Sequence, residues 1–187
     1  MNRILRTILI ILILSVASVI IFPLSKHIKI NYDFTNHPRQ YSEFVTKYAK
    51  EYGVPEKICY AVIKCESGFD FAAKSSAGAM GLMQMMPATF EDLCSRLDEE
   101  HDTSMLFDPE TSIKYGVYYL SGLYKRFGVW ENAIAAYNCG QGRVAGWIES
   151  GMVDENGILT DIPISETATY VKRVTKAIEK YEELYYQ

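Results

Sequence analysis

"AVIKCESGFDFAAKSSAGAMGLMQMMPATF", residues 61–90, places Glu66 at the end of an apolar helical run and follows it with a small-residue loop and four methionines. Val62 and Glu66 are four residues apart and therefore leave the same face of a helix. A carboxyl group on that face lies at the edge of the core, where partial loss of hydration raises its pKa. A general acid that works near neutral pH requires this property. The stretch also allows a second interpretation, a glutamate at a helix end that is solvated or hydrogen-bonded to the loop amides.

The composition indicates a single globular domain. The chain has 187 residues, enough to bury a substantial core, and a net charge of -4. This acidic balance argues against a nucleic-acid-binding protein, which usually presents a basic face. We expect no metal or cofactor, because the histidines stand apart in loop or linker sequence and no C-x-x-C pair is present. The histidines are His27, His37 and His101.

The four cysteines, Cys59, Cys65, Cys94 and Cys139, are expected to be buried free thiols. Cys59 and Cys65 lie on roughly opposite sides of one predicted helix and cannot pair with each other. A bridge from either of them to Cys94 or Cys139 remains open outside the cell. A cysteine peptidase is excluded because no histidine stands in a motif context.

The N-terminal segment predicts a membrane anchor. Arg3 and Arg6 precede eighteen uncharged residues, Thr7 to Leu24, and Lys26 follows them. Eighteen helical residues cover ~27 Å, close to the ~30 Å hydrocarbon core of a bilayer. A signal peptide cleaved near residues 15–17 is the rival interpretation, but the apolar stretch continues past that point.

The predicted organisation is therefore an uncleaved anchor over residues 1–24, a linker over 25–40 and a globular domain over 41–187. Basic residues flank both ends of the anchor, so the positive-inside rule determines its orientation only weakly. We expect a single-pass protein of the cell membrane with the domain outside the cytoplasm. A secreted protein is the alternative.

The rest of the chain predicts helices and no convincing strand. Apolar residues at helical spacing begin at Tyr41 and end before Gly53, and a second helix begins near Pro55. Asp108 and Pro109 open another helix, as N-cap and first helical residue, and Gly128 closes it. Further helices are predicted from Pro87 onward, over "WENAIAAYN", over "GRVAGWI" and over the long segment that begins "SETATYVKRV".

Three motifs resemble those of the soluble lytic transglycosylases, glycoside hydrolase family 23 within the lysozyme superfamily. A helix that ends in Glu66-Ser67 precedes "GAMGLMQMMP", residues 78–87, which is similar to the family's G-x-x-G-L-M-Q-x-M-P loop. "AIAAYNCGQGRV", residues 133–144, resembles its A-Y-N-x-G motif. "IPISETATYVKRV", residues 162–174, resembles its P-x-x-E-T-x-x-Y-V motif. The resemblance covers about residues 41–181.

Two positions depart from the family pattern. Many relatives have serine where Met80 stands, a residue implicated in holding the N-acetyl group of the substrate. Many also have arginine after Glu-Thr, where this chain has Ala168. Both departures touch binding or local structure, and neither removes the acid.

The resemblance implies a mainly α, lysozyme-like catalytic domain of the goose-type and lytic transglycosylase kind, behind the N-terminal transmembrane helix. The implied reaction cuts peptidoglycan glycan strands between N-acetylmuramic acid and N-acetylglucosamine and leaves a 1,6-anhydro ring. Glu66 would be the single acid and base. Asp70 is the nearest alternative carboxylate in the sequence, and no cofactor is implied.

The resemblance also implies supporting residues. Tyr137 would direct its hydroxyl toward Glu66, and substrate binding would involve Gln84, Met83, Met80, Ser67, Asn138, Glu166 and Tyr170. Alternatives remain for several of them: core packing for Tyr137, Met83 and Tyr170, and helix N-terminal charge for Glu166.

Two rival functions remain open. A goose-type muramidase would share the fold and Glu66 but hydrolyse the same bond, and a non-catalytic wall-binding module would share the fold alone. The implied partners are peptidoglycan and the membrane, with cell-wall, secretion or conjugation machinery as a further option.

Overall fold

A computed structural model describes residues 31–186 of the chain. The predicted anchor and residues 25–30 of the predicted linker lie outside the described residues. Arg39–Gln187 forms one compact unit, and the described residues up to Pro38 belong to a separate one. Within residues 31–186, no helix combines the length and the apolar character needed to cross a membrane.

Part of the predicted linker is helical. Residues 31–36 are helical, and there the hydroxyl of Thr35 donates to the carbonyl of Asn31 and the amide of Asn36 donates to that of Tyr32. Such side-chain bonds to the backbone four residues earlier stabilise a turn locally.

The compact unit is built from helices, as expected. Asp108 accepts a hydrogen bond from the backbone amide of Thr111, and Gly53 and Gly128 end their helices with positive φ angles of 71° each. The described elements are α1 (Ser42–Tyr52), α2 (Glu56–Glu66), α3 (Pro87–Leu97), a 3₁₀ helix (Thr103–Phe107), α4 (Pro109–Phe127), α5 (Trp130–Cys139), α6 (Gln141–Glu149) and α7 (Ser165–Tyr185).

Helix α2 lies at the centre of the core. Six consecutive residues from Ile58 to Ile63 are buried, so the helix is enclosed on all sides rather than along one stripe. Helix α7 packs along it, and α1, α4 and α5 contribute further residues to the same apolar cluster. This burial directs the C-terminal end of α2, where Glu66 lies, toward the edge of the core.

The long connection between α2 and α3 is folded by its own hydrogen bonds. Within residues 31–186 no strand forms, but Met80 and Met85 exchange two backbone hydrogen bonds at 3.0 and 3.1 Å. The amide of Gly81 donates to the carbonyl of Ala73 at 2.9 Å. The connection, residues 67–86, is called the α2–α3 loop below.

Two glycines allow this loop to approach its neighbours. Gly81 has a φ of +76°, and a Cβ atom there would lie 1.8 Å from the carbonyl oxygen of Leu106. A Cβ atom on Gly116 of α4 would lie 2.3 Å from the sulfur of Met83. Because both positions lack a Cβ, the loop packs directly on the 3₁₀ helix and on α4.

Candidate active site

Glu66 is the last residue of α2, and the residue after it holds the loop to the helix. The hydroxyl of Ser67 donates to the carbonyl of Leu82 at 2.8 Å and accepts from the amide of Phe69 at 3.2 Å. Ser67 thus has a structural role in the loop, and its contact with substrate stays a prediction. Its bonds join the two ends of the α2–α3 loop beneath the carboxyl group.

The carboxyl group of Glu66 is largely buried and has one strong hydrogen bond. The hydroxyl of Tyr170, which is 4% exposed, donates to Oε1 of Glu66 at 2.5 Å. Burial raises the pKa of Glu66 from 4.5 to about 7, although the Tyr170 hydrogen bond and the positive charge of Arg173 both lower it. The raised pKa that the apolar spacing around Val62 predicts is confirmed. Tyr170 is the side chain that positions the carboxyl group.

The resemblance predicts that Tyr137 directs its hydroxyl toward Glu66. The Tyr137 hydroxyl donates instead to the carbonyl of Met83 at 2.8 Å, so it supports the loop. Tyr137 remains close to the acid, because burial and then the Glu66 charge raise the pKa of the Tyr137 phenol. Both tyrosines belong to the motifs quoted above. The way α2 packs against α7 decides which of the two tyrosine hydroxyls reaches the carboxyl group.

Two predicted substrate contacts are core residues. Met83 is 0% exposed, and its amide donates to the buried hydroxyl of Ser112 at 3.2 Å. Met80 is 7% exposed and belongs to an apolar cluster with Met85 and Phe90. The burial of Met83 agrees with core packing, the alternative given for it above, and Met80 faces the interior rather than the solvent side of the loop.

Gln84 is half-buried at the edge of a pocket. Its side-chain nitrogen donates to the carbonyls of Ala73 and Gly81 at 3.0 and 2.9 Å, so its donors hold the loop together. Only its oxygen remains to accept a hydrogen bond from a ligand. Gln84 also has a positive φ of 46°, and Phe69 has one of 71°. Such strained backbone is held by the surrounding packing and often accompanies a functional site.

Asn138 and Glu166 lie near the junction of α5 and α7. Asn138 is exposed, and its Oδ1 accepts a hydrogen bond from the hydroxyl of buried Thr167 at 2.8 Å. Glu166 is exposed in the first turn of α7, the position that the helix dipole favours for a negative charge. The predicted helix start at Ser165 is confirmed.

A pocket of about 160 Å³ lies beside this arrangement. Gln84, Met86 and Thr89 line it from the loop and α3, and Tyr137 and Asn138 line it from α5. Met86 is 43% exposed, unlike the other methionines of the loop motif. The pocket therefore combines apolar surface with a few polar groups, as ligand-binding sites usually do.

Arg173 is a site residue that the sequence interpretation missed. Its guanidinium group donates to the carbonyl of Cys65 at 3.0 Å and lies 5.6 Å from the ring centre of Tyr170. Arg173 thus ties α7 to the end of α2 and brings a positive charge near Glu66. The sequence did contain a signal for Arg173. Residues three apart on a helix share a face, and Tyr170 precedes Arg173 by three.

The carboxylate considered as an alternative to Glu66 takes part in a local turn. Asp70 is exposed, and its Oδ1 accepts the amide of Ala72 at 2.9 Å in a local turn. In the part of the chain that the structure describes, no three His, Cys, Asp or Glu side chains are grouped to hold a metal ion.

The four cysteines are all free thiols. Cys59 and Cys94 are buried, as predicted, whereas Cys65 and Cys139 are half-buried. Burial raises the pKa of Cys59, Cys65 and Cys139, which disfavours their reactive thiolate forms.

Comparison with known proteins gives a consistent result. Over 144 residues the chain is 37% identical to the soluble lytic murein transglycosylase of Escherichia coli K12, a match that covers 73% of this chain and 22% of the relative. It is 31% identical to a membrane-bound lytic murein transglycosylase C of Actinobacillus pleuropneumoniae serotype 5b, over 76% of this chain and 46% of the relative. The chain thus spans less than half the length of these relatives.

Among solved structures, an inactive Glu→Gln mutant of the lytic transglycosylase Slt from Pseudomonas aeruginosa superposes with a TM-score of 0.71 at 31% identity. The match covers 79% of this chain and 24% of that one. The fold is therefore the mainly helical, lysozyme-like one that the motifs imply. Residues 43–156, well over half of the chain, match the family described as transglycosylase SLT domain. This chain belongs to the transglycosylase SLT domain family.

Proposed function

We propose that this protein is a peptidoglycan lytic transglycosylase that cleaves the bond between N-acetylmuramic acid and N-acetylglucosamine. The observation that carries the proposal is the environment of Glu66, a largely buried carboxyl group with a pKa of about 7 and a hydrogen bond from Tyr170. The relatives that share its fold and motifs are named as lytic murein transglycosylases. A Glu→Gln change inactivates the neighbour from P. aeruginosa, which supports a mechanism that depends on a glutamate.

In the proposed reaction, Glu66 acts first as an acid and then as a base. With a pKa of about 7, the group is about half protonated near neutral pH. The protonated carboxyl group donates its proton to the glycosidic oxygen as the bond to C1 of the muramic acid breaks. The resulting carboxylate then accepts the proton of the C6 hydroxyl, whose oxygen bonds to C1 and closes the 1,6-anhydro ring. The proton returns to Glu66, and no water is consumed.

The surroundings of Glu66 favour a mechanism with one carboxylate. Ordinary glycosidases place two carboxyl groups about 5–10 Å apart across the bond. The groups that shift the pKa of Glu66 are Tyr170 and Arg173, a phenol and a cation. Asp70 is engaged in its own turn. We propose that the 2-acetamido group of the sugar assists at C1, where a second carboxylate would otherwise act.

The pocket beside Tyr137 is proposed to hold the sugar. Met86 offers the exposed apolar surface that the motif interpretation assigned to Met83, and the oxygen of Gln84 accepts a sugar hydroxyl or amide. Asn138 contributes a polar group from the opposite wall. Tyr170 keeps the carboxyl group oriented through both proton transfers.

Glu66→Gln tests the acid. Glutamine keeps the size of the side chain but cannot donate a proton at neutral pH, and general acid-base groups contribute about 10²–10⁴-fold. Because one residue serves both steps, we expect a loss at or above the upper end of that range, measured as muropeptides released from purified peptidoglycan. Glu43→Gln, an exposed change on α1, is the matched control and should leave the rate unchanged. Near-normal release by Glu66→Gln would refute the assignment.

Mass spectrometry of the wild-type products tests the reaction type. An anhydro end is lighter than a hydrolysed reducing end by one water. Reducing ends in place of anhydro ends would assign the protein to the muramidases and leave the role of Glu66 as the acid intact.

We also propose that residues 7–24 anchor the protein in the cell membrane and leave the domain outside the cytoplasm. The support is the uncharged stretch between basic residues and the existence of a membrane-bound relative. Full-length protein should fractionate with membranes and retain its first residues. A mature N-terminus near Ser18 would show a cleaved signal peptide and a secreted enzyme.

A further inference from the structure

A second pocket lies next to the candidate site and has basic walls. It encloses about 190 Å³ and is lined by Arg96 of α3, by Tyr118, Tyr119 and Lys125 of α4, and by Gln141 of α6. This set of residues is called the basic pocket.

The two pockets are neighbours in the fold. Tyr119 lines both of them, and its ring centre lies 5.4 Å from that of Tyr137. Gly140 lines the candidate sugar pocket, and the next residue, Gln141, lines the basic pocket. A ligand seated beside Tyr137 therefore needs only a short branch to enter the basic pocket.

The polar groups of the basic pocket are mainly hydrogen-bond donors. Lys125 offers an ammonium group and Arg96 a guanidinium group, which is paired with Asp92 at 2.7 Å. Arg126 donates to the side-chain oxygen of Gln141 at 2.5 Å, so the amide nitrogen of Gln141 is the group left to face a ligand. A pocket of donors is complementary to an acceptor that carries negative charge.

Charged groups of both signs lie near this pocket. Two cations, Arg96 and Lys125, line the basic pocket, and Asp92 pairs with Arg96, in a chain whose net charge is -4. Burial raises the pKa of Tyr119, the charge of Arg96 lowers it, the charges of Asp92 and Cys139 raise it, and the charge of Arg126 lowers it, so cations and an anion both lie near the phenol shared by the two pockets.

We propose that the basic pocket binds a carboxylate of the peptide branch that peptidoglycan carries on its muramic acid residues. This inference rests on the proposed function, because it takes peptidoglycan as the substrate. The branch leaves the sugar seated beside Tyr137 and passes Tyr119, and its carboxylate meets Lys125, Arg96 and Gln141. Recognition of the branch then adds to affinity without touching the acid.

Binding to fragments with native or neutralised branches tests this inference. Full-length protein in detergent, carrying Glu66→Gln to prevent turnover, is titrated with peptidoglycan fragments whose branch carboxylates are intact or converted to methylamides. Exposed ion pairs contribute modestly, so we expect Lys125→Ala to weaken binding of the intact fragments by about two- to fivefold. It should leave binding of the methylamide fragments unchanged. Lys50→Ala, an exposed change on α1, should alter neither.

The outcomes separate the two proposals. An equal loss on both fragments would mean that Lys125 contacts the glycan or supports the fold, and no loss on either would mean that the pocket does not hold the branch. Either result overturns the inference. Absence of cleavage by the wild-type protein, with the charge-dependent difference in binding retained, would overturn the proposed function instead.

Discussion

At the scale of single residues, the balance of forces on Glu66 decides its chemistry. Burial disfavours the carboxylate, whereas Tyr170 and Arg173 favour it, and burial prevails because the pKa settles at about 7. Without the two partners the group would remain protonated well above neutral pH and serve poorly as a base. The partners therefore bring the acid into the range where both proton transfers are accessible.

Tyr170→Phe tests the hydrogen bond to the acid. This bond stabilises the carboxylate, so its loss should raise the pKa of Glu66 further. A hydrogen bond to a charged group contributes about 1.5–3 kcal/mol, which corresponds to about one to two pH units. The alkaline limb of kcat/KM, near pH 7 in the wild type, should move upward by that amount, and the maximum rate should fall because the carboxyl group is less well oriented.

Tyr181→Phe is the matched control for that pH profile. Tyr181 is a buried tyrosine on the same helix, stacked on Tyr60. Tyr181→Phe should leave the alkaline limb of kcat/KM at the pH found for the wild type. An unshifted limb in Tyr170→Phe would show that the hydrogen bond does not control the acid.

Glu66→Gln should also change how stability depends on pH. The folded pKa of Glu66 is raised above its unfolded value, so its favourable contribution is complete below about pH 4.5 and is lost as the pH rises through about 7. At about pH 4 the two proteins should unfold with similar free energies. At about pH 8 the variant should be the more stable by up to about 3 kcal/mol. Denaturant titrations at the two pH values measure this difference, and an equal difference at both would contradict the raised pKa.

Sequence reasoning reached Glu66 but did not predict that Tyr170 is the tyrosine that hydrogen-bonds to it, and the reason is physical. The four-residue spacing from Val62 is a local property of one helix, so it places the acid at the core edge before any tertiary structure is known. Tyr137 and Tyr170 both approach the acid from distant parts of the chain. Which hydroxyl reaches it depends on how α7 lies against α2, and the pattern of neither helix contains that information.

At the scale of elements, hydrogen bonds to several other elements fix the α2–α3 loop in place. Ser67 joins its two ends, Tyr137 and Ser112 bind the backbone of Met83, and Gln84 bonds across it. Helix ends such as Asp108 and Gly128 were predictable because their chemistry is local. The direction in which the side chains of Met80 and Met83 point was not predictable, because a methionine side chain suits both a hydrophobic core and the wall of a ligand-binding site.

Gly81→Ala should destabilise the protein far more than Gly78→Ala. Both glycines have positive φ angles, +76° and +93°, so each change carries a backbone cost of about 1–2 kcal/mol. Only at Gly81 does the new Cβ meet an obstacle, the Leu106 carbonyl oxygen at 1.8 Å, whereas nothing lies within 4 Å at Gly78. Thermal unfolding of the two variants measures the contrast. Equal losses would mean that the loop can move away from the 3₁₀ helix at little cost.

At the scale of the whole molecule, the compact unit begins with a residue that joins both ends of its fold. Arg39 donates to Glu56 of α2 at 2.9 Å, and its guanidinium group lies within 5.4–5.5 Å of the ring centres of Tyr60, Tyr185 and Tyr186. The hydroxyl of Tyr186 also donates to Glu56, at 3.0 Å. The first residue of the unit therefore ties the start of α2 to the end of α7.

Two truncated proteins that differ by two residues test this arrangement. A protein that begins at Pro38 keeps Arg39, and one that begins at Gln40 loses it. The ion pair and the stacked rings together should contribute about 1–2 kcal/mol, since the Arg39 side chain is only 34% exposed. The shorter protein should therefore unfold about 2–8 °C lower. Arg39→Ala in the longer protein should reproduce that decrease, because the side chain and not the chain length is responsible. Both proteins should lose membrane association yet release muropeptides at the same rate below their unfolding temperatures, since Glu66 and Tyr170 meet at the opposite end of α2. Equal unfolding temperatures for the two proteins would show that the fold does not depend on this contact.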